Sequence, residues 1–165
     1  MCEPCFFPEK GGMVLKRIIL LSHCVLNSFC ELPQAPDNLR EEILKVITDK
    51  HLSIVQLPCP ELSYQGLSRS SIYPGTPEAE EYEKYCQQLL STVVSNIKEY
   101  KDNDIEIAGI IGIDTSPSCS IMDSKAIMMK VLMKELSDAG ITIKVLADMP
   151  VEGDGESFLE NIKVL

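Results

Sequence analysis

Along this chain, short runs of consecutive apolar residues alternate with longer stretches in which apolar positions recur every three or four residues. The runs Leu15 to Leu21, Leu52 to Leu57, Glu106 to Ile113 and Ile141 to Leu146 have the length and β-branched content of buried strands. Pro58 and Pro60 stop the second run just before Cys59, because proline cannot continue a central strand. Leu39, Ile43, Val46 and Ile47 mark one face of a helix that Asp37 can cap. Tyr82, Cys86, Leu89, Val93 and Ile97 form the buried stripe of a longer helix opened by Thr76 and Pro77. A third helix, capped by Asp123 or Ser124, carries Ile127, Val131, Met133 and Leu136 and ends at Gly140, and Glu156 to Ile162 can add a short final one. The order β-α-β-α-β-α-β requires right-handed crossovers and a parallel sheet covered by helices. The predicted fold is therefore α/β, a three-layer sandwich with a mainly parallel, Rossmann-like sheet.

Met13 opens the run that leads into the first strand, so residues 1–12 read as an N-terminal extension and 13–165 as a single α/β domain. A chain of 165 residues can bury about 70% of its unfolded surface in one core. Its 45% hydrophobic and 24% charged residues are those of an ordinary soluble globular protein. The net charge of −10, with basic residues scattered, argues against a nucleic-acid polymer as partner, since phosphate binding is driven by clustered lysine and arginine. No apolar run approaches the roughly 18 residues of a membrane span, and no basic start precedes an apolar core at the N-terminus. A cytoplasmic protein without a membrane partner is expected.

Seven cysteines in such a chain do not suggest a disulfide framework, because cytosolic thiols are kept reduced; metal binding or catalysis is the better reading. Cys24, Cys59 and Cys119 each follow a predicted strand. In an open parallel sheet, ligands bind beyond the carboxyl ends of the strands, so three thiols far apart in sequence can form one metal site there. A single cysteine after a strand is more simply a small buried hydrophobe, but three together point the other way. Cys86 lies on its helix's apolar stripe and reads as core. Cys30, six residues after Cys24, could be a fourth ligand or a sulfur relay, a surface thiol being the simpler role. Cys2 and Cys5 make a CxxC with Pro4 inside it and no second CxxC to complete a zinc ribbon. His23 reads as structural, His51 as solvated, Met128, Met129 and Met133 as core, and Glu78, Glu80, Glu81 and Glu83 as a solvated helix start.

Three short segments carry the chemistry: Ser22-His23-Cys24-Val25-Leu26-Asn27, Pro58-Cys59-Pro60-Glu61 and Ser116-Pro117-Ser118-Cys119-Ser120. With them the chain resembles the TudS-type desulfidases, the thiouracil desulfurases and their relatives, over most of Ile18 to Ile121. The resemblance implies a [4Fe–4S] cluster held by Cys24, Cys59 and Cys119, with the fourth iron open to the sulfur of a small thiolated substrate. The chain departs from the family pattern at Asn27, where glycine is usual, in lacking the arginine-tyrosine-aspartate-glycine stretch that follows, and at Ser120, again in place of glycine. A glycine-glycine-leucine-proline segment is reduced to Gly66-Leu67-Ser68-Arg69. Ligation of the cluster carries over more fully than substrate identity.

The expected function is an iron–sulfur-dependent desulfidase that removes sulfur from a thiouracil-like compound as hydrosulfide, without net redox change. Glu61, two residues beyond a ligand, is the candidate proton carrier, and a surface acid is its plainer alternative. Ser116 and Ser118 could hydrogen-bond the cluster or substrate, although turn stabilisation is the simpler role for each. Tyr64 and Arg69 are candidates for orienting a planar ring. The rival readings are a zinc or iron–sulfur module that senses redox state or transfers sulfur, and a cysteine-nucleophile hydrolase, for which no histidine stands as an obvious base and no glycine-rich nucleotide fingerprint is present.

Overall fold

Every residue of the strand Glu106–Ile113 after Glu106 itself is buried, and the molecule is built outward from it. The computed structural model describes residues 16–30, 37–153 and 155–165. The strands are β1 (Arg17–Leu21), β2 (Ser53–Gln56), β3 (Glu106–Ile113) and β4 (Val145–Met149). They pair in the order β2-β1-β3-β4, all parallel. The helices are α1 (His23–Leu26), α2 (Asp37–Asp49), α3 (Pro60–Gln65), α4 (Ala79–Asp102), α5 (Ile127–Asp138) and α6 (Glu156–Ile162), with a 3-10 turn at Ser28–Cys30. α4 packs against α5 and α2 against α6, and right-handed crossovers put the two pairs on opposite faces of the sheet. This is the Rossmann-like α/β architecture that the alternating pattern predicts.

Burial follows the periodicity with small shifts. In α4 the deeply buried residues are Tyr82, Cys86, Leu90, Val94 and Ile97, while Leu89 and Val93 are half-buried beside them. Leu39, Ile43 and Ile47 seat α2 on the core, and Met128, Met129, Leu132 and Leu136 seat α5. The last strand is the main correction: it runs from Val145 to Met149 instead of Ile141 to Leu146. Ile141 N–H closes the end of α5 on Leu136 O, so the apolar Ile141 and Ile143 belong to the connection, half-buried or better. Asp148 is accommodated in the strand because its carboxylate accepts from Ser120 Oγ and from the N–H groups of Ile121 and Met122. α4 begins at Ala79, with Thr76 in the preceding turn. α5 begins at Ile127 without a side-chain cap, Asp123 accepting instead from Lys125 N–H.

Two features of the sheet place the site. The chain leaves β1 first to one side, for β2, and later returns to its other side with β3, so the crevice between the ends of β1 and β3 is a topological switch point. At the end of β3, a Cβ on Gly112 would lie 2.5 Å from the Cys119 carbonyl oxygen and 2.2 Å from Asp148 Oδ1. Only glycine lets the Cys119 loop fold back so closely over the strand. β2 is an edge strand, paired with β1 alone, and three of its four residues are exposed. Among the described residues no helix is long and apolar enough to cross a membrane.

Candidate functional site

Cys24 sits in the single turn of α1 directly beyond β1. Its thiol donates to Cys30 O at 3.2 Å, and Arg40 Nε donates to the Cys24 carbonyl at 3.4 Å, so the loop is tied at both ends. Cys59 lies between two prolines beyond β2 and is the N-cap of α3; its sulfur accepts from Leu62 N–H at 3.4 Å. Cys119 ends a loop that turns at Thr115, a β-branched residue held at φ 58°, outside its ordinary range. Ser116 Oγ accepts from Cys119 N–H at 3.0 Å and from Ser118 N–H at 3.3 Å, which is the turn-stabilising role open to it from sequence. The first free N–H groups of α5, on Ile127 and Met129, bond to Pro117 O and Ser118 O at 2.9 Å, so that helix end fixes the loop.

The three thiols converge. Cys24, Cys59 and Cys119, together with Cys30, Glu61, Arg69 and Ser116, line one cavity of about 300 Å³ beyond the carboxyl ends of the strands. All four cysteines are buried. The neighbouring Cys24 side chain is the main influence lowering the Cys59 pKa, to about 7; burial opposes, Leu62 N–H and the Arg69 charge assist, and Glu61 opposes. Burial pushes the Cys119 and Cys30 thiols up instead. Cys86, away from the cavity in the core, is pushed up to about 12 by burial. One thiol of the set is thus poised to ionise near neutrality. Among the described residues, no three of His, Cys, Asp and Glu stand close enough to hold a single metal ion.

Arg69 is the cation of the cavity. Its side chain is only 3% exposed, and its Nε donates to Glu61 Oε2 at 3.4 Å. The rest of the guanidinium makes no hydrogen bond with the described residues, although it lines the cavity. Its terminal nitrogens face the open cavity, where water or a ligand can accept from them. Ser22, two residues before Cys24, also has a buried hydroxyl without a partner among the described residues.

Glu61, in the first turn of α3, receives Ser118 Oγ–H on its other oxygen at 3.3 Å, and Ser118 is fully buried. Sequence reasoning placed both residues near the thiols but gave no sign of Tyr82, whose hydroxyl is 3.0 Å from Ser118 Oγ. Tyr64 stands apart from this group: its ring packs between Tyr82 and Tyr85, at centroid distances of 5.3 and 5.0 Å, outside the cavity lining. His23 also stays outside the lining. Its ring meets Asn27 Nδ2 at 3.2 Å, and burial, then the Arg69 charge, lowers its pKa. Cys2 and Cys5 fall outside the described residues. A larger cavity, about 440 Å³, lies beyond β4, but its lining has neither thiol nor basic side chain, and its Asp148 is committed to the turn after Cys119.

Fold and cavity together define the class: a parallel α/β domain whose strand ends gather buried thiols around a buried arginine paired with a half-buried glutamate. The chain is 29% identical over 150 residues to an uncharacterized protein of Methanocaldococcus jannaschii, covering 90% of this chain and 96% of that one. No protein-family model matches the chain, and no solved structure matches it.

Proposed function

We propose that the protein is an iron–sulfur-dependent desulfidase acting on a small thiolated compound in a reducing, cytoplasmic setting. The observation that carries this reading is the meeting of Cys24, Cys59 and Cys119 in one cavity beside Glu61 and Arg69. Thiolates on one tetrahedral zinc ion, with bonds near 2.3 Å, stand about 3.8 Å apart. A four-iron cube would take each thiolate on a different iron and so asks for less closely spaced sulfurs than a single ion, for which no site is found among the described residues. Its anionic sulfides also suit the uncommitted donors of Arg69, since hydrogen bonds to cluster sulfur are a normal means of tuning it. Three thiols and these donors in one cavity support such a group, with Cys24, Cys59 and Cys119 as the residues that would hold it.

When bound through three thiolates, the cluster supplies a Lewis-acidic iron free of protein ligands. The chain's own residues do the rest. Arg69 anchors Glu61 from one side and Ser118 from the other, leaving the carboxylate at the cavity wall. From there Glu61 takes a proton from the water that adds to the thiocarbonyl carbon and returns it to the departing sulfur. The balance is thiocarbonyl plus water giving carbonyl plus hydrogen sulfide, with no electron transferred overall.

Anaerobic reconstitution with iron and sulfide, followed by assay of sulfide release from thiouracil, tests this. About four irons per chain and multiple turnovers are expected. Iron binding without sulfide release would favour the second reading, a cluster-binding module that senses redox state or transfers sulfur. Cys30, a fourth buried thiol in the same cavity, is the observation on its side.

A further inference from the structure

Tyr82 belongs by spacing to the apolar stripe of α4, and its ring is fully buried there. Packing alone would be served by phenylalanine. The hydroxyl adds a hydrogen bond, 3.0 Å to Ser118 Oγ, which in turn lies 3.3 Å from Glu61 Oε1. A serine hydroxyl has one proton to give, and an ionised carboxylate can only accept. The Ser118 proton therefore goes to Glu61, and Tyr82 must be the donor to Ser118. Ser118 is the one hydrogen-bond partner of the Tyr82 hydroxyl among the described residues. The chain cannot reverse without leaving that phenol proton unpaired in the core, which is costly. Burial, the first influence on the phenol, raises its pKa, so it remains a donor throughout the working range.

We propose that Tyr82 is a positioning residue of the cavity: its hydroxyl locks Ser118 as a donor and thereby holds the Glu61 carboxylate between Ser118 and Arg69, facing the thiols. The consequence for turnover rests on the reading of Glu61 as proton carrier, whereas the consequence for Glu61's environment does not. The plain alternative is a buried tyrosine satisfied by the nearest hydroxyl, with no influence beyond it.

The test uses the full chain, reconstituted anaerobically at matched iron content, as wild type, Tyr82→Phe, Ser118→Ala and the double variant. Glutamate carrying ¹³C carboxyl groups is incorporated, and subtraction of the Glu61→Gln infrared spectrum isolates the Glu61 carboxylate band. Tyr82→Phe is expected to shift that band, to keep the iron content, and to lower kcat for sulfide release from thiouracil about tenfold with KM unchanged, the scale of one hydrogen bond. The double variant is expected to match Ser118→Ala alone, because Tyr82 acts through Ser118. A Glu61 band unmoved by Tyr82→Phe overturns the proposal whatever the rates do. So does a double variant in which the two losses multiply, whereas a shifted band with wild-type kcat upholds the positioning by Tyr82 and removes Glu61 as the proton carrier. If wild type releases no sulfide, the desulfidase reading falls and the band alone decides the role of Tyr82. Should Tyr82→Phe not fold, a ring-fluorinated tyrosine at position 82 keeps shape and hydroxyl while strengthening the donor. It is expected to move the band in its turn, and no movement would again overturn the proposal.

Discussion

The unequal thiols of the cavity make a direct measurement possible on reduced, metal-free protein. The Cys59 thiol is lowered from 9.0 to about 7, the neighbouring Cys24 side chain being the largest influence, with Leu62 N–H and Arg69 assisting against burial and Glu61. At pH 7 about half of Cys59 is thiolate, against roughly 1% for an unshifted thiol, a gain of about fifty-fold in reactive species. A less basic thiolate is also a poorer nucleophile: two units of lowered pKa at a Brønsted coefficient of about 0.45 remove roughly eightfold, leaving a net acceleration of about sixfold. Iodoacetamide labelling resolved by peptide mass should therefore show Cys59 reacting first at pH 7. Its rate should level off just above that pH, while Cys119 and Cys86 stay unlabelled. Cys24→Ala removes the largest lowering influence, so the Cys59 midpoint should move up. A wild-type midpoint in the ordinary thiol range, or one indifferent to Cys24→Ala, would refute the influence of Cys24 on Cys59.

Three further outcomes are expected. Alanine at Cys24, Cys59 or Cys119 should abolish assembly of the reconstituted cluster as read by iron content and absorbance, whereas Cys86→Ala should not; full retention in all three single variants would send the search to Cys2, Cys5 and Cys30. Glu61→Gln keeps the side-chain shape and should keep the iron, yet lose about 10²-fold or more in sulfide release, the usual scale of acid–base assistance, in a steady-state assay across pH. Gly112→Ala forces a methyl group against the Cys119 carbonyl and Asp148, and should cost about 1 to 3 kcal/mol in urea unfolding, as overpacking does. It should impair iron binding as well.

What the sequence could reveal depended on which forces wrote it there. The strands and long helices were legible because burial imposes a period, and the three cysteines because strand ends in a parallel sheet converge whatever fills the loops between. The bounds of β4 were not legible, since Ile141 and Ile143 continue the apolar run that reads as a strand. The pairing of β4 with Gly109 to Ile113 and the donors around the Asp148 carboxylate decide otherwise. The short helices α1 and α3 were hidden inside turn-rich loops for the same reason, their cohesion being tertiary. Glu61, Ser118 and Arg69 came from proximity to motifs, and the geometry joins them. Tyr64 came the same way and lies in an aromatic stack. Tyr82 left no signal, because a tyrosine on a buried stripe reads the same whether or not its hydroxyl has a partner.

The cysteines do not belong to equally secure parts of the sheet. Cys24 and Cys119 hang from interior strands, but Cys59 hangs from β2, which has a neighbour on one side only. Such a rim strand opens to solvent more often than the strands it borders. An occupant gripping all three sulfurs would act as a cross-link from the rim to the interior and would slow that opening. Amide hydrogen exchange across Ser53–Gln56, fast in the empty protein and protected on loading, would then report occupancy of the cavity with no substrate needed.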